Sequence, residues 1–585
     1  MQRTRFLRIR IWGLGDVLVL LLLGAVIFGV VSLARQWRSE FQPLTEISLS
    51  VWALPRYAFF SAARGLAAYA ISLFFTLIVG YAAARSRRAE RIILPALDVL
   101  QSIPVLGFLP GLVLGLVALF PGSNMGLELA AIIMIFTGQV WNMTFAFYGS
   151  LKSIPTELME ASTMMGLSMK ERFKRLEFPF SAVNLAWNSL MSMAGGWFFL
   201  SVCEAFTLGD KSYRLPGVGA YMAEAEARGD ATAMILGIAA MVGIILGLDF
   251  LIWRPILVWV QRFRLEDNPD ATSDEEVPEA LIRLVFRKSR ILHWVRVLAR
   301  RWVLKPLKKE RRKLVAAGKT LFAKPLALAP AIPRQVSGLW WKIVLALVIA
   351  GLGYASVRLF GTFRQVAWVT WWSLIQDTLW TAARVVAAVI LSTLWTVPVG
   401  VWIARSPKRL RRAQPVIQVL ASFPAPMLYP LVLGILFHWH VRFDFAAMFL
   451  MLLGVQWYIL FNVVAGAIRT PQVLKDVLSL SDASRWTQWH ALWLPSIFPA
   501  LVTGWVTAAG GAWNASIVAE SLSYNGTVQT TRGLGATISM AASRGDFALL
   551  AASIAVMVVV VILVNRLGWR RLYAVAQTRY RLVDV

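Results

Sequence analysis

Two stretches of this chain place charged, small and helix-ending residues at a spacing suited to work at a surface. In the first, Glu160-Ala161-Ser162-Thr163-Met164-Met165-Gly166 is followed, nine residues on, by Leu176-Glu177-Phe178-Pro179. In the second, Asp476-Val477-Leu478 opens the stretch, Asp482 stands where the glycine was, and Leu492-Trp493-Leu494-Pro495 closes it. A short surface helix with small residues on one face can enter a groove on a soluble partner. A glycine behind it lets the backbone turn at positive φ, and a proline fits the first turn of the next helix, where no amide donor is lost. Asp482 disfavours the same turn, although aspartate tolerates it better than most residues.

None of this is bond-making chemistry. His293, His438, His440 and His490 lack the spacing of zinc ligands. Cys203 is alone and sits in an apolar run. Gly318-Lys319-Thr320 resembles the tail of a phosphate-binding loop, but the glycine needed five residues earlier is Lys313. The expectation is a chain with no catalytic residue, no metal and no ATP hydrolysis of its own.

Composition says where such a chain lives. Of 585 residues, 58% are hydrophobic and 15% charged, with mean hydropathy +0.63. That is an integral membrane protein. Apolar runs at 17–33, 66–83, 130–147, 234–251, 345–357, 385–403, 445–460 and 548–564 approach the roughly 20 residues that span hydrocarbon. Pro-interrupted runs at 92–119 and 413–437 and Gly-rich runs at 182–206 and 497–520 bring the total to about twelve spans, six per half, read as helices. The fold class expected is all-α integral membrane.

A net charge of +28 would suit nucleic acid, but its distribution does not. Arg3–Arg10, Arg85–Arg91, Lys170–Arg175, Arg262–Arg334, Arg405–Arg412 and Arg566–Arg581 all fall on one side when spans are counted from the N-terminus. That side is cytoplasmic by the positive-inside rule. The reading is a bacterial inner-membrane protein with both termini in the cytoplasm and no nucleic-acid partner. The first apolar run is expected to be a retained helix.

Residues 57–265 recur at 377–582. Pro179 pairs with Pro495, Glu204 with Glu520, Trp197 with Trp513 and Arg228-Gly229-Asp230 with Arg544-Gly545-Asp546, each 316 residues apart. Earlier in the halves the offset is 320, as for Ala84-Arg85-Ser86 and Ala404-Arg405-Ser406. A repeat this long is a duplicated domain. An even number of spans per half makes the copies parallel, with a solute path between them. The expected divisions are a first module at 1–261, a basic linker at 262–337 and a second module at 338–585. Within the linker, Leu281 to Val303 reads as an amphipathic helix suited to an anionic inner leaflet.

Matching interruptions point to that path. Pro104 and Pro110 answer Pro424 and Pro430, with Pro426 extra, in the equivalent broken spans. Freed backbone groups there must line a cavity or be packed against neighbours. Polar residues inside spans are costly unless they face a path or a partner. Gln139 and Asn142 in the first half and Gln456 and Asn462 in the second fit that description, as do Glu204 and Glu520. Helix–helix hydrogen bonding explains each of them equally well. Arg64 and Arg384, in the outer leaflet, are candidates to snorkel or to draw anions inward.

The spaced stretches resemble the E-A-A-x3-G-x9-I-x-L-P loop of ABC-importer permeases, the membrane subunits of binding-protein-dependent transport systems. Glu160, Ala161, Gly166 and Pro179 match, Leu176 and Phe178 are conservative, and Ser162 replaces the second alanine. In the second copy the spacing survives while Asp476, Val477, Leu478 and Asp482 depart from the pattern and Pro495 keeps it. Thr381-Ala382-Ala383-Arg384, Ala512–Glu520 and Gly533-Leu534-Gly535, with first-half counterparts Ser61, Trp197, Glu204 and Gly217-Val218-Gly219, resemble permeases for nitrate, sulfonate, taurine and bicarbonate. The resemblance implies two fused type I importer modules and a small anionic solute. It implies two separate cytoplasmic ATPase subunits, which would bind the ATP and Mg and dock at 161–166 and 477–482. A periplasmic binding protein would deliver the solute. The rival reading is a twelve-helix secondary transporter of major-facilitator type. That fold's Gly-x-x-x-Asp-Arg-x-Gly-Arg loop is not matched by Ala84–Arg88 or Ala404–Lys408.

Overall fold

The computed structural model describes residues 28–37, 39, 45–209, 211–263, 350, 353–354, 357–481 and 484–579. The linker, its amphipathic helix, Gly318-Lys319-Thr320 and Asp482 lie outside the described residues, as do most of the apolar runs 17–33 and 345–357. Both repeats belong to one compact unit, Gln36–Arg264 with Thr362–Val585.

The first half runs as α1 (Val51–Arg85), α2 (Arg87–Ser102), α3 (Leu109–Leu119), α4 (Met125–Lys152), α5 (Thr156–Met164) and α6 (Phe178–Cys203). A hairpin of β1 (Ala205–Leu208) and β2 (Lys211–Arg214) follows, then α7 (Val218–Ala227) and α8 (Ala231–Gln261). The second half repeats the order. Its elements are α9 (Trp368–Ala404), α10 (Pro407–Ser422), α11 (Tyr429–His438), α12 (Phe443–Ile468), α13 (Gln472–Leu480) and α14 (Leu494–Ala519). They are followed by β3 (Ser521–Tyr524), β4 (Thr527–Thr530), α15 (Leu534–Arg544) and α16 (Phe547–Ala576).

Among the described residues seven helices are long and apolar enough to cross a membrane, or nine counting two bent pairs. Helix α6 fails that measure because Asn184, Asn188, Ser181, Ser189 and Ser192 dilute its hydropathy. Its serines are buried against neighbouring helices instead of facing lipid. Helices also run past the apolar stretches read from the sequence. Arg85, for example, ends α1 beyond the run that stops at Ala83.

The two bends carry the expected prolines. Arg87–Gln101 meets Val105–Leu119 at 84°, and Pro407–Ser422 meets Ala425–His438 at 84°. Pro104 and Pro424 sit extended at the breaks, with ψ 112° and 108°, because an extended residue cannot continue the helix behind it. Pro110 and Pro430 open the helices beyond, where a missing amide costs nothing.

The recurring Arg-Gly-Asp run has a structural cause. Gly229 and Gly545 take positive φ (65° and 68°) to end α7 and α15. Asp230 and Asp546 then cap α8 and α16, accepting from the amides of Ala233 and Leu549 at 3.0 and 2.9 Å.

Helices α4 and α6 pack together, as do α12 and α14, through small residues. A side chain at Gly138 would meet Phe199 at 2.2 Å, and one at Gly466 would meet Ala500 at 2.8 Å. The two hairpins were not anticipated, although Asn525-Gly526, both at positive φ, is a recognisable two-residue turn signal. The hairpins reach across the pseudo-twofold, where the Gly209 amide donates to the Ala542 carbonyl at 3.0 Å.

Within α7 the Glu226 carboxyl has a buried oxygen without a partner among the described residues, and burial pushes its pKa up to about 8. A raised carboxyl pKa subtracts stability as pH climbs from the ordinary value toward the folded one. We expect Glu226→Gln to raise the thermal midpoint of the detergent-solubilised chain at pH 8 to 9 and to leave it unchanged near pH 4. A flat difference across that range would show that the carboxyl ionises freely.

Candidate translocation cavity and coupling segments

A cavity of about 260 Å³ lies between the halves. The turn at Pro104 and Val105, with α4 and α6, walls one side, and α12 and α14 wall the other. The Val105 amide, freed by the proline break, donates to Asn514 Oδ1 of the opposite half at 2.8 Å. Gln418 Nε2 donates to Asp249 Oδ1 at 2.7 Å in a second bridge between halves. None of the residues lining the cavity is Asp, Glu, Lys, Arg or His, whereas nine of them are aromatic.

Of the residues singled out for a path, Pro104 and Asn142 line this cavity, and Phe423 and Ala425 on either side of Pro424 line it as well. Gln139 is buried in packing, within 3.4 Å of Ser72 Oγ and Met193 Sδ. Gln456 is buried outside the lining. Asn462 donates to the Tyr458 carbonyl of its own helix at 2.8 Å.

Arg64, Glu204, Arg384 and Glu520 stand apart from the cavity in two buried clusters of one design. In the first half, Arg64 donates to both oxygens of Glu128 at 2.6 and 2.7 Å, to Glu204 Oε1 at 2.7 Å and to the Pro216 carbonyl at 2.9 Å. Glu204 also accepts from Ser61 Oγ and the Gly219 amide, each at 2.7 Å. In the second half, Arg384 donates to Glu520 Oε1 at 2.9 Å and to the Arg532 carbonyl at 2.8 Å. Glu520 accepts from Thr381 Oγ1 and the Gly535 amide, each at 2.9 Å.

The glycines of Gly217-Val218-Gly219 and Gly533-Leu534-Gly535 are explained by this approach of backbone to carboxylate. A Cβ at Gly217 or Gly533 would lie 2.3 Å from the glutamate. The third partner, Glu128 or Asp444, escaped the sequence reading, although the two are 316 residues apart like the other pairs. Asp444 holds Arg384 through its carbonyl at 3.2 Å, and its side chain is 43% exposed where that of Glu128 is buried. The clusters tie α1 and α9 to the turns that lead into α7 and α15.

At the opposite ends of the spans, α5 closes on Gly166 at φ 65°, with the Gly166 amide bonded to the Thr163 carbonyl and the Leu167 amide to the Ser162 carbonyl. Glu160 is exposed, Ala161 half-buried and Ser162 buried, while Met164 and Met165 project into solvent. In the second copy Val473, Val477 and Leu480 project from α13 and Asp476 is exposed; the side chain of Leu478 is not described. Pro179 and Pro495 open α6 and α14.

One residue inside the closing motif had been passed over. Glu177, fully buried, pairs with Arg85 at the end of α1 and with Arg172 at 2.8 Å. Its counterpart is Trp493 (493 − 177 = 316), and that of Arg85 is Arg405 (405 − 85 = 320). The second half therefore makes the same joint by stacking, with the Arg405 guanidinium 4.8 Å from the Trp493 ring centre.

The family described as binding-protein-dependent transport system inner membrane component matches residues 72–253 and 396–569, together more than half of the chain. No curated protein matches the chain.

Two outcomes are expected from these clusters. Arg64→Met strands two buried carboxylates, and breaking a buried pair costs roughly 3–5 kcal/mol. Arg384→Met strands one buried carboxylate and one that water reaches. The first should therefore lower the unfolding midpoint of purified protein well below the second; equal shifts would refute the difference. At the joints on the opposite side, Arg85→Met takes one of two cations from the buried Glu177, whereas Arg405→Met strands no charge; the first should lower the unfolding midpoint of purified protein more, and equal shifts would refute the difference.

Proposed function

Because the chain belongs to the family of binding-protein-dependent transport system inner-membrane components, we propose that it supplies both membrane halves of an ATP-driven importer for a small solute from one polypeptide. The cavity between equivalent elements of the halves carries this reading: broken helices meet there from both sides, and such sites are where parallel-repeat transporters hold their cargo. Helices α5 and α13 would dock two cytoplasmic ATPase subunits, which bind ATP and Mg. The capped, solvent-facing end of α5 and the apolar residues presented by both helices support that role. A periplasmic binding protein would approach the loops around 208–230 and 521–546. The chain acts as a transport subunit and not as an enzyme.

The anionic class of solute is carried by the resemblance to nitrate, sulfonate, taurine and bicarbonate permeases. In the cavity an anion would find only uncharged donors such as the side chains of Trp141, Asn142 and Tyr458. The family match does not favour the major-facilitator alternative, which would be driven by an ion gradient without ATPase subunits.

The docking assignment is tested with Gly166→Arg together with Asp482→Arg in the complex purified with its ATPase. A bulky cation at each helix end should abolish ATPase co-purification and reduce stimulated hydrolysis at least ten-fold. Retention of both would remove these segments from the coupling path.

A further inference from the structure

We infer that the cavity accepts a flat, uncharged ring compound carrying hydrogen-bond acceptors at its edge, in preference to a bare oxyanion; this rests on the reading that the cavity is the solute path. Size is the first argument. At about 260 Å³ the space is several times larger than a bare oxyanion. An ion of a few heavy atoms would touch one wall and leave the rest wet, whereas a substituted ring covers far more of the lining.

Charge is the second argument. An isolated anion that gives up its hydration needs a cation or a convergent set of donors, and no Lys, Arg or His lines the cavity. Arg64 and Arg384, the arginines whose place in the spans suggested that task, are already held by carboxylates in the buried clusters. The walls are rings: Phe198, Phe199, Trp457, Tyr458 and Trp513 stand around the space with Trp141. Aromatic rings pack against another flat ring by offset stacking or edge-to-face contact, which a bare oxyanion cannot offer.

The third argument is a donor without an acceptor. Trp141 lines the cavity, and its indole Nε1–H is buried and has no partner among the described residues. Indole nitrogen can only donate, and a buried donor left unpaired is costly. A solute that turns the Trp141 ring enough to reach this N–H with a carbonyl oxygen or ring nitrogen satisfies it. A cation would gain from the ring faces but would meet that N–H with the wrong sign, and no carboxylate in the lining balances its charge.

The test is isothermal titration calorimetry on the full-length chain in lipid nanodiscs. Cytosine and nicotinamide serve as uncharged ring probes, nitrate and methanesulfonate as anions, and choline as a cation. The ring probes should bind at least ten-fold more tightly than nitrate or choline. Trp141→Phe, which keeps a ring and deletes the donor, should weaken them about ten-fold. Gly510→Leu, whose side chain enters open space in the cavity, should abolish their binding. Size-exclusion profiles and helicity of both variants establish that they fold. Tighter binding of nitrate, methanesulfonate or choline that is lost in Gly510→Leu overturns the solute class and leaves the path in place. Binding of every probe unaffected by Gly510→Leu overturns the path itself, and the solute class with it.

Discussion

A guanidinium buried among carboxylates is the constraint on which each half is organised. Arg64 is almost fully buried, and a charge in that position persists only if partners surround it. Glu128, Glu204 and the Pro216 carbonyl do so from three other segments, and Ser61, on the same helix as Arg64, closes the cluster by donating to Glu204. Those segments cannot shift independently without exposing an unpaired charge to an apolar interior. The start of α1, the start of α4, the end of α6 and the turn into α7 therefore behave as one piece. Arg384 repeats the arrangement in the second half, with Asp444 giving a looser third contact. The close approach of amide to carboxylate leaves room only for hydrogen at Gly217 and Gly533, which accounts for glycines flanking the turn.

With that end of each half held, the opposite end is where the two copies diverge. One joint between the first span and the segment behind the surface helix is an ion pair of Glu177 with Arg85 and Arg172. The other is Arg405 against Trp493. The arginine is kept at the matched positions 85 and 405 while Glu177 is exchanged for Trp493, so the contact was retained while its chemistry changed. A duplicated module inside one chain is free to do this, because each copy keeps a fixed neighbour. A protein assembled from two identical chains would have to carry the same joint twice. Divergence at Gly166 and Asp482 belongs to the same pattern.

Between these ends the broken helices set the character of the cavity. Proline interrupts the backbone at Pro104 and Pro424, and at the first break the released Val105 amide is satisfied by Asn514 across the interface. Polar demand created by the break is thus met inside the protein, and the wall it leaves is uncharged and rich in rings. Arg64, Glu128, Glu204, Arg384 and Glu520 are drawn off to the clusters, and Asp249 to Arg254 and Gln418, so that none of them lines the cavity.

The duplication, the all-helical membrane class, the bends at equivalent prolines and the capped helix ending at Gly166 were legible in the amino-acid order, because each follows from local rules: hydropathy over a span, a missing amide, a residue tolerant of positive φ. The Asn525-Gly526 turn was equally legible and was overlooked. What linear order could not decide was which polar groups inside the spans face the cavity and which face one another. Arg64 and Glu204 are 140 residues apart, and Glu128 approaches from a third helix. Only their convergence in space makes them a closed cluster, since Coulombic pairing depends on distance and desolvation and not on separation along the chain. The cavity has the same origin: its rings come from segments hundreds of residues apart, brought to one wall by the packing of the two halves.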